Sequence, residues 1–170
     1  MTQIARPAPR RLDTFELPSE PGNERLALAR VEESVRGLGL PDSRLEKLKT
    51  AVAEATMNAI EHGNKNRAEI PVEVEVTQNG DEIIVAISDQ GGDSGVSSGS
   101  AEEPDLLKKL DGGQSPRGWG LFLIRHMVDG MEVTVEGERR TVRLTMRTPA
   151  PGGQAAGLRH IGGMVRWTSP

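Results

Sequence analysis

Residues 70–89 read IPVEVEVTQNGDEIIVAISD, and their hydrophobic period is two. Val72, Val74 and Val76 alternate with Glu73 and Glu75, so one face of the extended chain is aliphatic and the other charged. Asn79-Gly80 interrupts the alternation with the dipeptide that favours a tight hairpin. Residues 131–147, MEVTVEGERRTVRLTMR, repeat the design: Met131, Val133 and Val135 face Val142, Leu144 and Met146, while charges and threonines alternate outward. Such a sheet keeps one face wet and needs helices on the other. Three segments can supply them. Leu26, Leu28, Ala29, Val31 and Val35 suit an amphipathic helix, entered through the capping groups Ser19, Glu20 and Asn23 and left at Gly37 to Gly39. Asp42 or Ser43 can cap a second helix, in which Leu45, Leu48, Val52, Ala55 and Ala59 recur at helical spacing until Gly63. RGWGLFLIRHMVD, residues 117–129, makes a compact third, with Leu121, Phe122, Ile124, Met127 and Val128 as its core side. Residues 12–18 read as a short edge strand. The expected fold class is therefore α+β: a two-layer α/β sandwich, its mostly antiparallel sheet covered on one face by about three helices.

Composition narrows what such a domain can do. A chain of 170 residues with 35% hydrophobic content can bury one core, and a single domain with modest tails is expected rather than a larger multi-domain enzyme. The 25 acidic and 21 basic residues leave a net charge of −4, which gives no general attraction to nucleic acid or anionic membrane. Aromatic residues make up only 2%, too few for a base-stacking platform. Without cysteine there is neither a disulfide framework nor a thiolate ligand, and His62, His126 and His160 lack zinc-like spacing. No leader-like or membrane-spanning apolar run occurs, so the expected location is cytoplasmic. Residues 1–11, with Arg6, Arg10 and Arg11 among prolines, read as a flexible basic arm. Residues 149–170 read as a Pro/Gly-rich tail, and the Gly/Ser-rich stretch between the hairpins is long enough to be functional or disordered.

Three polar features stand out from this frame. In EATMNAIEHGN, residues 54–64, a helical wheel sets Glu54, Asn58 and Glu61 opposite the apolar stripe, the ordinary arrangement of a solvated helix face. Asn58 is discordant, because asparagine competes for backbone hydrogen bonds inside a helix. Its amide oxygen suits Mg²⁺ already surrounded by phosphate, and Glu54, one turn earlier, can accept a hydroxyl proton as general base. Asp89 ends an apolar strand and is followed by Gly91 and Gly92. A strand-end aspartate is commonly a turn former, yet it can also accept a hydrogen bond from an exocyclic amine that the glycines allow to approach. Gly118 and Gly120 lie at the start of an apolar helix, where free N–H groups and the helix dipole attract anions, with Arg117 adding a positive charge.

The succession of these features resembles the GHKL ATPase/kinase superfamily. Its N box looks like EATMNAIEHGN, its first glycine box like DQGGD and its second like RGWGLFLI, and the likeness covers about residues 12 to 147. Within the superfamily the chain looks most like bacterial anti-sigma factor serine/threonine kinases, the stand-alone regulators of partner-switching pathways, because the N box ends in HGN and GLFLI completes the second glycine box. Neither the phosphoacceptor-histidine module of histidine kinases nor the transducer domains of gyrase-like relatives is expected, since residues 1–11 and 149–170 resemble neither. The resemblance implies a GHKL ATP-binding domain over residues 12–148, with a lid at about 90–116 and with ATP and Mg²⁺ as cofactors. Glu54 is then the base, Asn58 the Mg²⁺ ligand, Asp89 the adenine acceptor and Gly91 part of the adenine pocket. Arg117, Gly118, Gly120 and Leu121 hold phosphates, and Thr141 assists adenine recognition. The implied partner is a STAS-domain anti-anti-sigma protein phosphorylated on serine or threonine, with a sigma factor as second partner and a homodimer left open, and with no direct nucleic-acid or membrane contact. Two positions depart from the pattern: Asp93 and Arg140 stand where glycine is common. The lid and the Asp93 departure motivate an alternative, an ATP-gated regulatory protein that sequesters a partner without phosphorylating it. A two-layer domain that binds no nucleotide is the third reading.

Overall fold

A computed structural model describes residues 8–92 and 117–149. The expectations about the Pro/Gly-rich tail beyond residue 149, most of the lid, Asp93 and the first seven residues of the arm lie outside that range. Five strands, β1 (Arg10–Leu17), β2 (Val72–Asn79), β3 (Glu82–Asp89), β4 (Gly130–Glu136) and β5 (Arg139–Arg147), form one sheet in the order β1-β2-β3-β5-β4. Every neighbouring pair is antiparallel. Among the described residues three α-helices, α1 (Glu24–Val35), α2 (Asp42–Asn58) and α3 (Arg117–Met127), accompany it, with α2 in contact with both of the others. The expected α+β sandwich with a sheet covered on one side is the observed one. Arg10 and Arg11, read as part of the arm, instead belong to edge strand β1.

Alternation in the strands decides which face is covered. Phe15 and Leu17, Val72, Val74 and Val76, Ile83, Val85 and Ile87, and Val142, Leu144 and Met146 are all buried, and they join Leu48, Val52 and Ile124 from the helices in one core. Burying each such side chain contributes roughly 1.5–3 kcal/mol, so the aliphatic core carries most of the stability that so few aromatic residues leave to it. The hairpins close as the sequence indicates: Gly80 and Gly137 take φ of 63° in the β2–β3 and β4–β5 turns.

The helix boundaries differ in instructive ways. Ser19 does not cap α1, because its hydroxyl is buried and donates to the Ile70 carbonyl at 2.6 Å. Asn23 occupies the cap position without a side-chain cap bond, and Pro41 rather than Asp42 or Ser43 precedes α2. The long helix does run to Gly63, but its last five residues, Ala59–Gly63, widen into a π-helical turn. Such turns insert a residue into the helical ladder and recur at functional sites. At the other end of α2, Arg44 ion-pairs with Asp129 and donates to the Arg147 carbonyl at 3.1 Å, which ties the helix to the open end of the second hairpin, away from its turn.

The uncovered face is laced by charge. Arg139 meets Glu73 through two hydrogen bonds of 2.9 and 2.7 Å. Those bonds hold the Glu73 carboxyl below its ordinary value of 4.5 and push the Arg139 guanidinium up. Both side chains are more than a third exposed, so the pair is worth no more than about 1 kcal/mol. Because the folded-state pKa is the lower one, the contribution is complete above the usual glutamate range and is lost as the pH falls through the depressed folded value. Glu73→Gln should therefore cost less than about 1 kcal/mol at pH 7. In urea titrations its difference from the wild type should close as the solution is acidified below pH 4.5.

Candidate functional site

Asp89 follows Ile83, Val85 and Ile87 on the inward side of β3, so the alternation that builds the core also delivers a carboxylate to its edge. The residue is 2% exposed. Its Oδ1 accepts the Gly91 amide at 2.8 Å, and its Oδ2 accepts Nε and an Nη of Arg140 at 3.0 and 2.7 Å. Arg140 is the cross-strand partner of Asp89 on β5 and is itself buried, taking the inward position next after Val142. A buried charge is tolerable only when paired and hydrogen-bonded, and this pair meets that condition.

Two glycines set how tightly this corner closes. A Cβ at Gly63 would overlap the Asp89 carboxyl carbon and Oδ1, and one at Gly91 would lie 2.5 Å from the Gly63 Cα. The exit of the α2 helical run and the end of β3 therefore touch backbone to side chain, with no room for a methyl group. Asn64 locks the approach. Its buried amide donates to the Ser19 hydroxyl (2.9 Å) and to the Ile70 and Pro71 carbonyls (3.1 and 3.2 Å), while its Oδ1 accepts the Gln90 amide at 2.8 Å. Lys65 and Asn66 follow with φ of 55°, a left-handed pair that turns the chain away from the helix toward β2.

The polar side of α2 is not an ordinary solvated face. Glu61 is exposed, but Glu54 and Asn58 are partly buried where α3 packs on α2. A Cβ at Gly120 would stand 3.0 Å from Asn58 Nδ2 and 3.5 Å from Glu54 Oε2. The α3 backbone thus comes within reach of the carboxylate and the carboxamide together. Asn58 Nδ2 is buried and finds no hydrogen-bond partner among the described residues, and the buried Thr56 hydroxyl is likewise unpartnered there. Buried polar atoms are normally satisfied, so an amide aimed at a glycine backbone marks a place that suits a polar ligand.

Of the residues singled out from the sequence, Glu54, Asn58 and Gly120 are brought together, and Asp89 and Gly91 meet at the end of the same helical run. Arg117 and Gly118 form the first residues of α3, and Leu121 packs partly buried against the core. Thr141 goes elsewhere. It is on the outward face of β5, 2.8 Å from the Ser88 hydroxyl, and lines a shallow recess of about 230 Å³ with Glu73 and Arg139. The alternation of β5 explains the difference, since Arg140, Val142, Leu144 and Met146 share the inward face and Thr141 cannot. A cleft of about 410 Å³ opens against Gly63, Gly91 and Gly92, with Lys65, Arg67 and Glu138 among its walls. Sequence reading missed Gly63, Asn64 and Arg140 as site-forming residues. Gly63 and Asn64 had a signal in the polar, glycine-broken end of an apolar helix, whereas the partnership of Arg140 depends on strand register.

Residues 17–146 match the family model described as the histidine kinase-like ATPase domain. The chain belongs to that family. Among curated proteins, it is 32% identical over 124 residues to an anti-sigma F factor of Clostridium beijerinckii, covering 72% of this chain and 84% of that protein. An anti-sigma F factor of Oceanobacillus iheyensis is 32% identical over 120 residues, covering 70% and 80%. Two solved structures share the fold. The SiaB–SiaC complex from Pseudomonas aeruginosa gives a TM-score of 0.59 at 18% identity, over 81% of this chain and 90% of that one. The RsbU and RsbW domains of Rv1364c from Mycobacterium tuberculosis give 0.51 at 19%, over 79% and 32%. The superfamily and anti-sigma-like resemblance read from the three sequence boxes is thereby shown.

The glycine contacts are open to a direct test. Gly63→Ala should destabilise the fold by about 1–3 kcal/mol in urea unfolding, because the methyl group must displace a buried, doubly paired carboxylate. Gly120→Ala should cost less, since the atom it meets first belongs to an unpartnered side-chain amide that can turn aside.

Proposed function

We propose that this chain is an ATP-dependent serine/threonine protein kinase that acts as an anti-sigma factor in a partner-switching pathway and phosphorylates a STAS-domain antagonist. The observation that carries the reading is the approach of the Gly120 backbone to Glu54 and Asn58, with the Asn58 amide buried and unsatisfied. A general base and a neutral amide left without a protein partner suit phosphoryl transfer better than they suit a structural helix contact. Membership of the histidine kinase-like ATPase family and likeness to proteins named anti-sigma F factor support the biological role.

Each group then has one task. Asp89 Oδ1 accepts the exocyclic amine of adenine, with Gly91 keeping the neighbouring space free of side chains. Asn58 Oδ1 would hold Mg²⁺ and its unpartnered Nδ2 would donate to a phosphate oxygen, while the first amides of α3, from Arg117 and Gly118 through Gly120 to Leu121, and the Arg117 cation would offset the phosphate charge. ATP with Mg²⁺ supplies the electrophilic γ-phosphoryl group when bound. Glu54 would orient the substrate hydroxyl and take its proton as that oxygen bonds to the γ-phosphorus and the bond from that phosphorus to the bridging oxygen breaks, with ADP leaving. Thr141, on the outer face, is left out of the adenine contacts, and no membrane or nucleic-acid contact is invoked; no helix among the described residues is long and apolar enough to cross a membrane.

Incubating the protein with labelled ATP, Mg²⁺ and a STAS-domain antagonist should label a serine or threonine of that partner. Glu54→Gln should lower the transfer rate by roughly 10²–10⁴-fold while leaving ATP affinity nearly unchanged. Undiminished labelling in that variant would remove Glu54 as the base. An ATP-dependent complex that forms with no phosphorylated partner by mass spectrometry would support sequestration without transfer.

A further inference from the structure

Asp89 has about four acceptor sites on its two oxygens, and three are engaged. Gly91 N–H takes one on Oδ1, and Arg140 takes both on Oδ2. The usual fork-to-fork arrangement of a guanidinium on a carboxylate would spread over both oxygens. Here both donors converge on Oδ2, so one acceptor direction remains on Oδ1. That same oxygen is the one a Cβ at Gly63 would cover. The absence of a side chain at Gly63 lets the helix backbone meet Oδ1, and the one-sided grip of Arg140 leaves one acceptor direction of that oxygen unused. Arg140 is also an unexpected occupant of its position. Val142, Leu144 and Met146 set an apolar pattern on the inward face of β5, which a further aliphatic residue would have continued at less cost in desolvation.

We propose that Arg140 is a positioning residue for nucleobase recognition: it pins Asp89 so that Oδ1 alone is presented, which selects a purine carrying an exocyclic amine over one carrying a carbonyl there. The inference rests on the assignment of Asp89 to the nucleobase given above. Arg140 need not touch the nucleotide. With its guanidinium gone, the carboxylate is free to rotate about its Cβ–Cγ bond, and its Oδ2 lone pairs become available to water or to other donors. A carbonyl-bearing base then meets a carboxylate no longer held with its acceptor forward. The penalty that separates the two bases falls.

Isothermal titration of the full chain with Mg-ATP and Mg-ITP tests this, because the two nucleotides differ at the reading position. The wild type should prefer ATP by roughly 10- to 100-fold, the range expected for a charge-assisted hydrogen bond. Arg140→Gln should bring the ratio below about threefold, and Arg140→Lys, which keeps the charge but not the two-pronged grip, should give an intermediate ratio. An unchanged ratio in Arg140→Gln alongside a lowered melting temperature would mean a purely structural ion pair and overturn the proposal. So would tighter ATP binding in Arg140→Gln, which would make the arginine an obstruction. If Arg140→Gln does not fold, Arg140→Lys decides: a reduced ratio supports the proposal and a wild-type ratio overturns it. Failure of the wild type to bind either nucleotide would overturn the nucleotide reading and this inference with it, whereas variants that discriminate as strongly as a discriminating wild type sink the inference alone.

Discussion

The carboxyl of Asp89 lies against the backbone of Gly63, and that contact joins the end of β3 to the end of the α2 helical run. Much of the architecture serves it. The antiparallel register sets Arg140 opposite Asp89, so the charge arrives at the end of the central strand already paired. The Ala59–Gly63 turn adjusts the helix exit, and Asn64 fastens that exit to the Ser19 hydroxyl, to the carbonyls before β2 and to the amide that follows Asp89. A side chain at position 63 would force these connections apart. The contact is short-range, but its cost if broken spreads through one buried ion pair and one buried amide, both of which depend on being fully satisfied.

The second constraint is the crossing of α3 over the polar side of α2. Helices usually meet through apolar ridges, and α3 does contribute the buried Ile124 to the core. At Gly120, however, the ridge is absent, and the neighbouring helix offers Glu54 and Asn58 instead of leucine or valine. A glycine inside a helix is unfavourable by roughly 1 kcal/mol relative to alanine. What offsets that cost is function in the reading advanced above: backbone close enough to hold a phosphate group, beside a carboxylate that can receive a proton. The aliphatic core supplies rigidity, and the two glycines let backbone and polar side chains meet closely.

Strand and helix identities were legible because period speaks for itself: the alternation at Val72, Val74 and Val76 and the Asn79-Gly80 turn leave little choice of register or hand. The boxes around Glu54, Asp89 and Gly118–Gly120 were visible as polar breaks in apolar segments. Cap assignments were less legible. Ser19 looks like a helix cap because it is a hydroxyl before an amphipathic run, yet its proton goes to Ile70, 51 residues away. The same limit affected Arg140 and Thr141. Adjacent residues on a strand point to opposite faces, and only the pairing of β3 with β5 reveals which of them meets Asp89. Local pattern encodes the elements, whereas the occupants of the site follow from long-range register.

The central claim, that a nucleotide lies between the Asp89 corner and the α2–α3 crossing, is tested most directly by amide chemical-shift mapping with a non-hydrolysable Mg-ATP analogue. Bound nucleotide should cause large shifts at Gly63, Gly91 and Gly120, with Thr134 and Arg143 on the outer face of the sheet unmoved. Saturating nucleotide that left all three glycine amides in place, or that moved the outer face instead, would contradict the claim.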